Sequence, residues 1–398
     1  MSRRGQMDVV IVGAGVVGAS CALALAKLGL DVVLVEGREP PRWSAESPDL
    51  RVYAFAPDNA ALLQECGVWD AVLAARAPAY RRMRVWDGAG GGELAFDADA
   101  LGREQLGWII ENNLLVDRLW AALPAAGVHL HCPARVESIE QDEEGVRLRL
   151  DNGSRVDARL AIAADGADSS LRELAGLQVS AHDYAQRGVV AFVETDASNE
   201  ATAWQRFLPT GPLAFLPFVD GRSSIVWTLP DSEAQRVLAL DDDAFNRELT
   251  NAFAVRLGEV RVVSKRAAFP LRRQLAESYL AGKVLLMGDA AHVVHPLAGQ
   301  GVNLGLRDVA RLRNLIVDAQ SRRADWTSSH RLARWARECR SANAAAAYTF
   351  DGINRVMVPS AMVPGPIPSA SRAAAISPAL RALANSSSGA PRYTTLVR

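Results

Sequence analysis

The sequence predicts an α/β fold: a nucleotide-binding domain built on a parallel sheet, an antiparallel-sheet domain inserted into it, and a helical C-terminal region. Three observations carry this. A glycine-punctuated strand, turn and helix opens the chain at residues 8–36, and two later strands end in Asp165-Gly166 and Gly288-Asp289. Between those strands, residues 178–270 change to the alternation of half-buried strands. A chain of 398 residues is also longer than a single hydrophobic core usually supports, so two closely packed domains are expected.

The bulk composition narrows the partners. Lys plus Arg (44) almost cancels Asp plus Glu (45), which gives no case for a nucleic-acid binder. Cys21, Cys66, Cys132 and Cys339 stand far apart without a CxxC pair. That argues against a zinc ribbon or disulfide framework and fits a reducing, cytoplasmic setting. The start "MSRRGQMDVVIVGAGVVGASCALALA" imitates a signal peptide or membrane span. Asp8 and the three glycines in the run contradict that reading, because a spanning helix has no use for them.

The opening element reads as a strand (8–12), a tight turn, a helix (about 16–28) capped by Gly29, and a strand (31–36). Gly13-x-Gly15-x-x-Gly18 has the spacing of a Rossmann-like dinucleotide fingerprint. The first glycine makes the turn, the second lets the backbone approach a pyrophosphate, and the third lets helix pack on strand. Glu36 ends the second strand, where an acid holds ribose hydroxyls and disfavours a 2′-phosphate. NAD and FAD both fit.

Two further junctions go beyond what a simple dehydrogenase needs: "DGADSSLR" from Asp165 through Ser169 to Arg172, and "GDAAHVVHPLAGQGVN" from Gly288 to Asn303. The ordered set resembles the group A flavoprotein aromatic hydroxylases, the para-hydroxybenzoate hydroxylase class. Their GxGxxG, DGxxSxxR and GDAAHxxxPxxGQGxN patterns are met at every key residue. Segments such as "DLRVYAFAPDNAALLQECGVWDAV" and "AWQRFLPTGPLAFLPF" are similar to the subgroup that hydroxylates polyprenyl-phenol precursors of ubiquinone.

The resemblance implies bound FAD, NAD(P)H as reductant, O2 as oxidant, and hydroxylation of a lipophilic, polyprenylated phenol through a C4a-hydroperoxyflavin. Glu36 would hold the adenosine ribose, Arg51 would contact FAD, and Asp289 would meet its ribityl or pyrophosphate part. Asp165 and Arg172 would serve FAD and the reductant. From the residues alone, Arg51 is also consistent with a solvated charge, and Asp165 and Arg172 with a turn residue and a partnered helix charge. Relatives often carry a basic residue after "EN", where this chain has Asn113; Arg118 lies a little over a helical turn further on. Two alternatives remain on the same fold: a halogenase or prenyl reductase, and a non-catalytic FAD-binding subunit of a quinone-biosynthesis complex.

Asp289, His292 and His295 also have the look of a metal site. Pro296 follows His295 and pushes it out of helical geometry, and no further ligand stands nearby, so no metal is expected. The glycines make better sense. Pro296, Gly299 and Gly301, followed by a helix beginning near Asn303, would bring backbone N–H groups and a positive helix end to an anionic flavin.

Trp204, Gln205, Phe207, Phe215 and Pro217 are candidates for lining the substrate site, although the apolar ones also suit a core between sheet and helices. No catalytic base declares itself; His182 and Tyr184 are the isolated polar candidates. The expected division assigns 1–78, 100–177 and 272–345 to the FAD-binding domain, 79–99 and 178–271 to the substrate sheet, and 346–398 to a helical or irregular tail. The prolines at 359, 364, 366 and 368 interrupt that tail. Its arginines (Arg372, Arg381, Arg392) suggest peripheral contact with the inner face of a membrane.

Overall fold

The computed structural model describes residues 5–88, 93–295, 299 and 301–357. Its first sheet has a parallel centre ordered Val284–Leu286, Arg155–Ala163, Met7–Val12, Val32–Val35 and His129–His131. Val9 pairs with Leu160 on one side and Val32 on the other, and Val9 to Val12 are all buried. Such a strand, covered on both faces, reads as an unbroken apolar run rather than an alternation. The helix Val16–Ala26 packs against the helix Gly301–Ser321. The opening helix ends slightly earlier than its periodicity suggests, at Ala26, and Gly29 closes it at φ +79° by donating its N–H to the Ala26 carbonyl.

The second sheet has nine strands and is built on the long strand Val179–Thr195. From one edge the order is His292–Val293, Ala267–Ala276, Val179–Thr195, Ser223–Pro230, Gly211–Pro217, Thr202–Leu208, Arg82–Asp87 and Glu93–Asp97, with Val260–Val262 also beside the long strand. All pairings along it are antiparallel except that of Thr202–Leu208 with Arg82–Asp87. Its outer face is sealed by the helices Asp231–Leu238 and Asp242–Ala252 around Leu213, Phe215, Ile225, Phe245 and Phe253. Its inner face meets the first domain, with Phe192 against Ala54, Ile109 and Phe218, and Phe207 against Val294, Leu304 and Phe350.

Hydrogen-bond ladders shift three of the expected divisions. Ala79–Tyr80 pairs with Gly107–Glu111 in a separate three-stranded sheet rather than with the nine. The strand Ala267–Ala276 continues across the division at 271, still paired with Val179–Thr195. The last helix, Ser329–Met357, runs through 345 without a break, as its alanine-rich stretch 344–347 favours. Residues 358–398, with the three tail arginines, lie outside the described residues. Among those described, no helix is long and apolar enough to cross a membrane.

Candidate functional site

The parallel strands deliver their C-terminal ends to one groove of about 790 Å³. Gly13, Gly15, Glu36, Arg51, Asp165 and Asp289 all line it. Open α/β sheets place ligands outside these carboxyl ends. Gly13 adopts φ +98°, and a Cβ there would stand 2.3 Å from the Ala164 carbonyl oxygen. A Cβ on Gly18 would stand 1.8 Å from the Gly13 carbonyl oxygen, so the helix can approach the turn only without one. Gly15 meets no atom within 4 Å and faces open space. That contrast fits FAD: the space beside two of the glycines is filled by the protein's own backbone, and that beside the one between them is left open where a pyrophosphate would lie.

At one end of the groove, Glu36 accepts N–H bonds from Ala14 (2.8 Å) and Arg38 (3.2 Å). Its carboxylate is therefore held at the mouth of the fingerprint turn. In the middle, Arg51 Nη2 comes within 3.9 Å of Asp289 Oδ2, and its guanidinium lies 5.4 Å from the Tyr53 ring centre. Burial pushes the Tyr53 hydroxyl up to about 12 and keeps it a neutral donor, to Asn112 Oδ1 at 3.0 Å. At the far end, Val302 brings the first turn of the helix Gly301–Ser321 to the groove. That helix starts at Gly301, two positions before the point expected from sequence, so Gly301 belongs to the helix and not to the loop.

Two of the expected residues act behind the groove instead of in it. Arg172 is buried, and its Nη1 donates to the carbonyls of Ala167 (2.8 Å) and Ala290 (3.1 Å). It ties the Asp165 loop to the Asp289 turn and does not line the groove. Asn303 is fully buried: its Nδ2 donates to Ala54 O (2.8 Å) and Gly299 O (3.2 Å), and its Oδ1 accepts from Ala56 N (3.0 Å) and Asn59 Nδ2 (2.9 Å). It fastens the glycine turn to the strand Val52–Phe55. Asp165 lines the groove and also accepts from Ser169 Oγ and Leu171 N, at the start of the short helix Ser170–Leu174. Gly288 forms the turn before Asp289, and Pro296 lies outside the described residues.

One wall was missed in the sequence. Asn112, Asn113, Val116 and Trp120 line the groove from the helix Asn112–Ala122, and Trp120 Nε1 donates to the Ala14 carbonyl at 2.8 Å. Positions 112, 116 and 120 recur at i, i+4 and i+8, a single-face spacing that was legible. Arg118 does not replace the missing basic residue: it pairs with Asp117 and lies over Trp43.

Strand alternation divides the substrate candidates. Gln205 and Phe207 point to the inner face, where Phe207 meets Val294 and, from the first turn of the helix Gly301–Ser321, Leu304. Trp204 and Phe215, which pair across the ladder, point to the outer face; Phe215 stacks on Phe253 with centroids 3.9 Å apart. Pro217 shares the parity of Phe215. The outer three therefore serve the sheet–helix core. Phe192, Ala214 and Leu216 occupy the inner face that they were expected to supply. His182 is exposed, and the Tyr184 hydroxyl donates to Asp351. Among the described residues there is no group of three metal-ligating side chains: His292 bonds Asp308, and His295 packs edge-on to Tyr184.

A dinucleotide groove on a parallel sheet, in a chain that carries a second, mostly antiparallel sheet, is the arrangement of a flavoprotein. The FAD binding domain model matches residues 6–348, and the chain belongs to that family of FAD-dependent monooxygenases. It is 38% identical over 330 residues to the 3-demethoxyubiquinol 3-hydroxylase of Escherichia coli, covering 82% of this chain and 84% of that one. It is 40% identical over 316 residues to the ubiquinone hydroxylase UbiL of Rhodospirillum rubrum, covering 79% and 73%. The fold is also that of PqsL from Pseudomonas aeruginosa, with a TM-score of 0.76 at 22% identity over 94% of this chain and all of that one.

Proposed function

We propose that the chain hydroxylates a lipophilic phenolic ring of the ubiquinone-precursor class, with a nicotinamide nucleotide as reductant and O2 as oxidant. The observation that carries this is the inner sheet face: apolar at Phe192, Phe207 and Leu216, with the polar Gln205 among them, it packs through Phe207 on Leu304 of the helix whose Val302 lines the groove. The names of the relatives supply the substrate class. The reaction balances as phenol, O2, NAD(P)H and a proton giving hydroxylated phenol, water and NAD(P)+.

Bound FAD supplies the redox chemistry, accepting hydride and activating O2. The chain's own residues bind and shield. Glu36 receives ribose hydroxyls, and the N–H groups at the start of the Val16 helix receive the pyrophosphate. Arg51 and Asp289 hold the middle of the molecule. The N-terminus of the Gly301 helix favours negative charge on the reduced ring by roughly 0.3–2 kcal/mol. The sheet excludes water, which protects a reactive oxygen species from wasteful decay. Gln205 orients the phenol among the apolar side chains.

Anaerobic reduction tests the reading. NAD(P)H should bleach the purified yellow protein, and faster with a lipophilic phenol present. In air, label from 18O2 should appear in the ring product. Bound FAD that neither nucleotide reduces, with no labelled product, would overturn the reading and favour a non-catalytic FAD-binding subunit.

A further inference from the structure

Away from the groove lies a buried polar pair, neither member of which lines it. His292 Nε2 is 2.7 Å from Asp308 Oδ2, and both side chains are wholly buried. Asn343 Nδ2 donates to the same carboxylate at 3.0 Å, and Arg311 Nη1 reaches within 3.7 Å of it from a partly exposed position. The Asp308 carbonyl accepts Trp335 Nε1 at 3.3 Å. His292 Nδ1 has no hydrogen-bond partner among the described residues, so the ring's one hydrogen bond to a described residue runs from Nε2 to the carboxylate.

The pair joins the two pieces of backbone that must meet a flavin. His292 begins the short strand leaving the turn Gly288–Ala290, which carries Asp289. Asp308 sits about two turns into the helix Gly301–Ser321, whose first turn supplies Val302 to the groove. Elsewhere turn and helix touch through glycine: a Cβ on Gly305 would stand 3.1 Å from Gly288 Cα and 2.6 Å from Val17 Cγ2. Glycine contact limits how closely the two can approach but provides no directional bond. The His292–Asp308 hydrogen bond does.

We propose that this hydrogen bond is a positioning device for the cofactor: it fixes Asp289 relative to the helix N-terminus and so sets how firmly FAD is held. The inference rests on the FAD reading of the groove. His292 and Asp308 touch no cofactor and act through Asp289 and Val302. A pair that merely stabilised the core would alter melting and leave the holoprotein's affinity and spectrum alone.

The test titrates FAD into apoprotein, followed by flavin fluorescence and by visible circular dichroism of the bound ring, and measures apoprotein melting in parallel. H292L and D308N should weaken FAD by about tenfold or more and change the dichroism, while H292Q, which keeps an N–H donor near the Nε2 position, should stay within about threefold of wild type. L332A opens a cavity at the buried Leu332 of the last helix; it should lower the melting temperature yet leave FAD affinity within about threefold. Wild-type affinity in H292L, or an equal loss in L332A, would overturn the proposal. If H292L does not fold, H292Q against H292N decides, because only glutamine reaches the carboxylate; equal affinities in those two would overturn it. Wild-type protein that takes up no FAD would instead defeat the FAD reading itself.

Discussion

The groove and the inner face of the nine-stranded sheet both use the helix Gly301–Ser321, through Val302 and Leu304 respectively, yet they are specified in opposite ways. The groove is built from backbone. Gly13, Gly15 and Gly18 matter for the atoms they lack, and Glu36, Arg172 and Asn303 act through main-chain N–H and C=O groups. The sheet face is built from side chains at alternate positions, which any apolar residue of suitable size can fill. A cofactor shared across a family is met by geometry that allows almost no exchange. A substrate that varies is met by a surface that can change one residue at a time.

The largest expected effect is therefore in the groove. G18A should abolish FAD retention, because its methyl would have to displace the Gly13 carbonyl that forms the turn. Backbone cannot step aside as a flexible side chain can, and overpacking against it costs about 1–3 kcal/mol or more. The flavin-to-protein absorbance ratio of purified G18A measures this. A ratio equal to wild type would show that the turn is not the rigid part of the site.

F215A is the next step down, and it separates the two faces of the sheet. Phe215 stacks on Phe253 in the outer core, so its truncation should cost about 3–5 kcal/mol in denaturant unfolding. The KM for phenol should not change in the folded fraction. A raised KM would move Phe215 to the substrate side and break the assignment by alternation.

That assignment marks the limit of what the sequence made legible. The groove could be read because its constraints are steric and local: a missing Cβ at three fixed positions, an acid at a strand end, Asp289 after Gly288. The helix Asn112–Ala122 could have been read the same way, from the recurrence of 112, 116 and 120. The sheet was harder. Trp204 and Phe207 look alike as letters, and which faces inward depends on the register of Thr202–Leu208 with Gly211–Pro217, a property of the folded pairing. Arg172 and Asn303 stood in the right motifs, but their hydrogen bonds run to partners up to 249 positions away, which no local pattern reveals.

His295 lies at the seam between the two regions, beside Tyr184 and close to Asp351, which also accepts from Arg273. Neither of its ring nitrogens has a hydrogen-bond partner among the described residues, and burial lowers its pKa to about 4 despite the Asp351 charge. The unfolded chain, with an ordinary histidine near 6.5, binds this proton more readily than the folded one. The stability His295 allows is complete above about pH 6.5 and falls as pH drops toward 4, by about 3 kcal/mol in all. Urea unfolding of wild type and H295L between those limits should differ in slope, the variant being flatter. Parallel slopes would mean that the folded imidazole takes up its proton as readily as the unfolded one.

The smallest effect is expected at Gln205, and it tests whether the sheet face recognises its ligand at all. Gln205 is buried on the inner face, beside Ala203 and Phe207 and across the ladder from Ala214. Leucine is close in volume, so Q205L should leave stability within about 1 kcal/mol of wild type. An amide that bonds a phenolic oxygen contributes roughly 0.5–1.5 kcal/mol to binding, which places the KM of Q205L about tenfold above wild type at its upper end. The turnover number should stay nearly constant, because the bond is made equally to bound substrate and transition state. A fall in turnover with unchanged KM would give Gln205 a part in the chemical step. No change in either would leave the inner face a purely apolar wall that selects its ligand by shape.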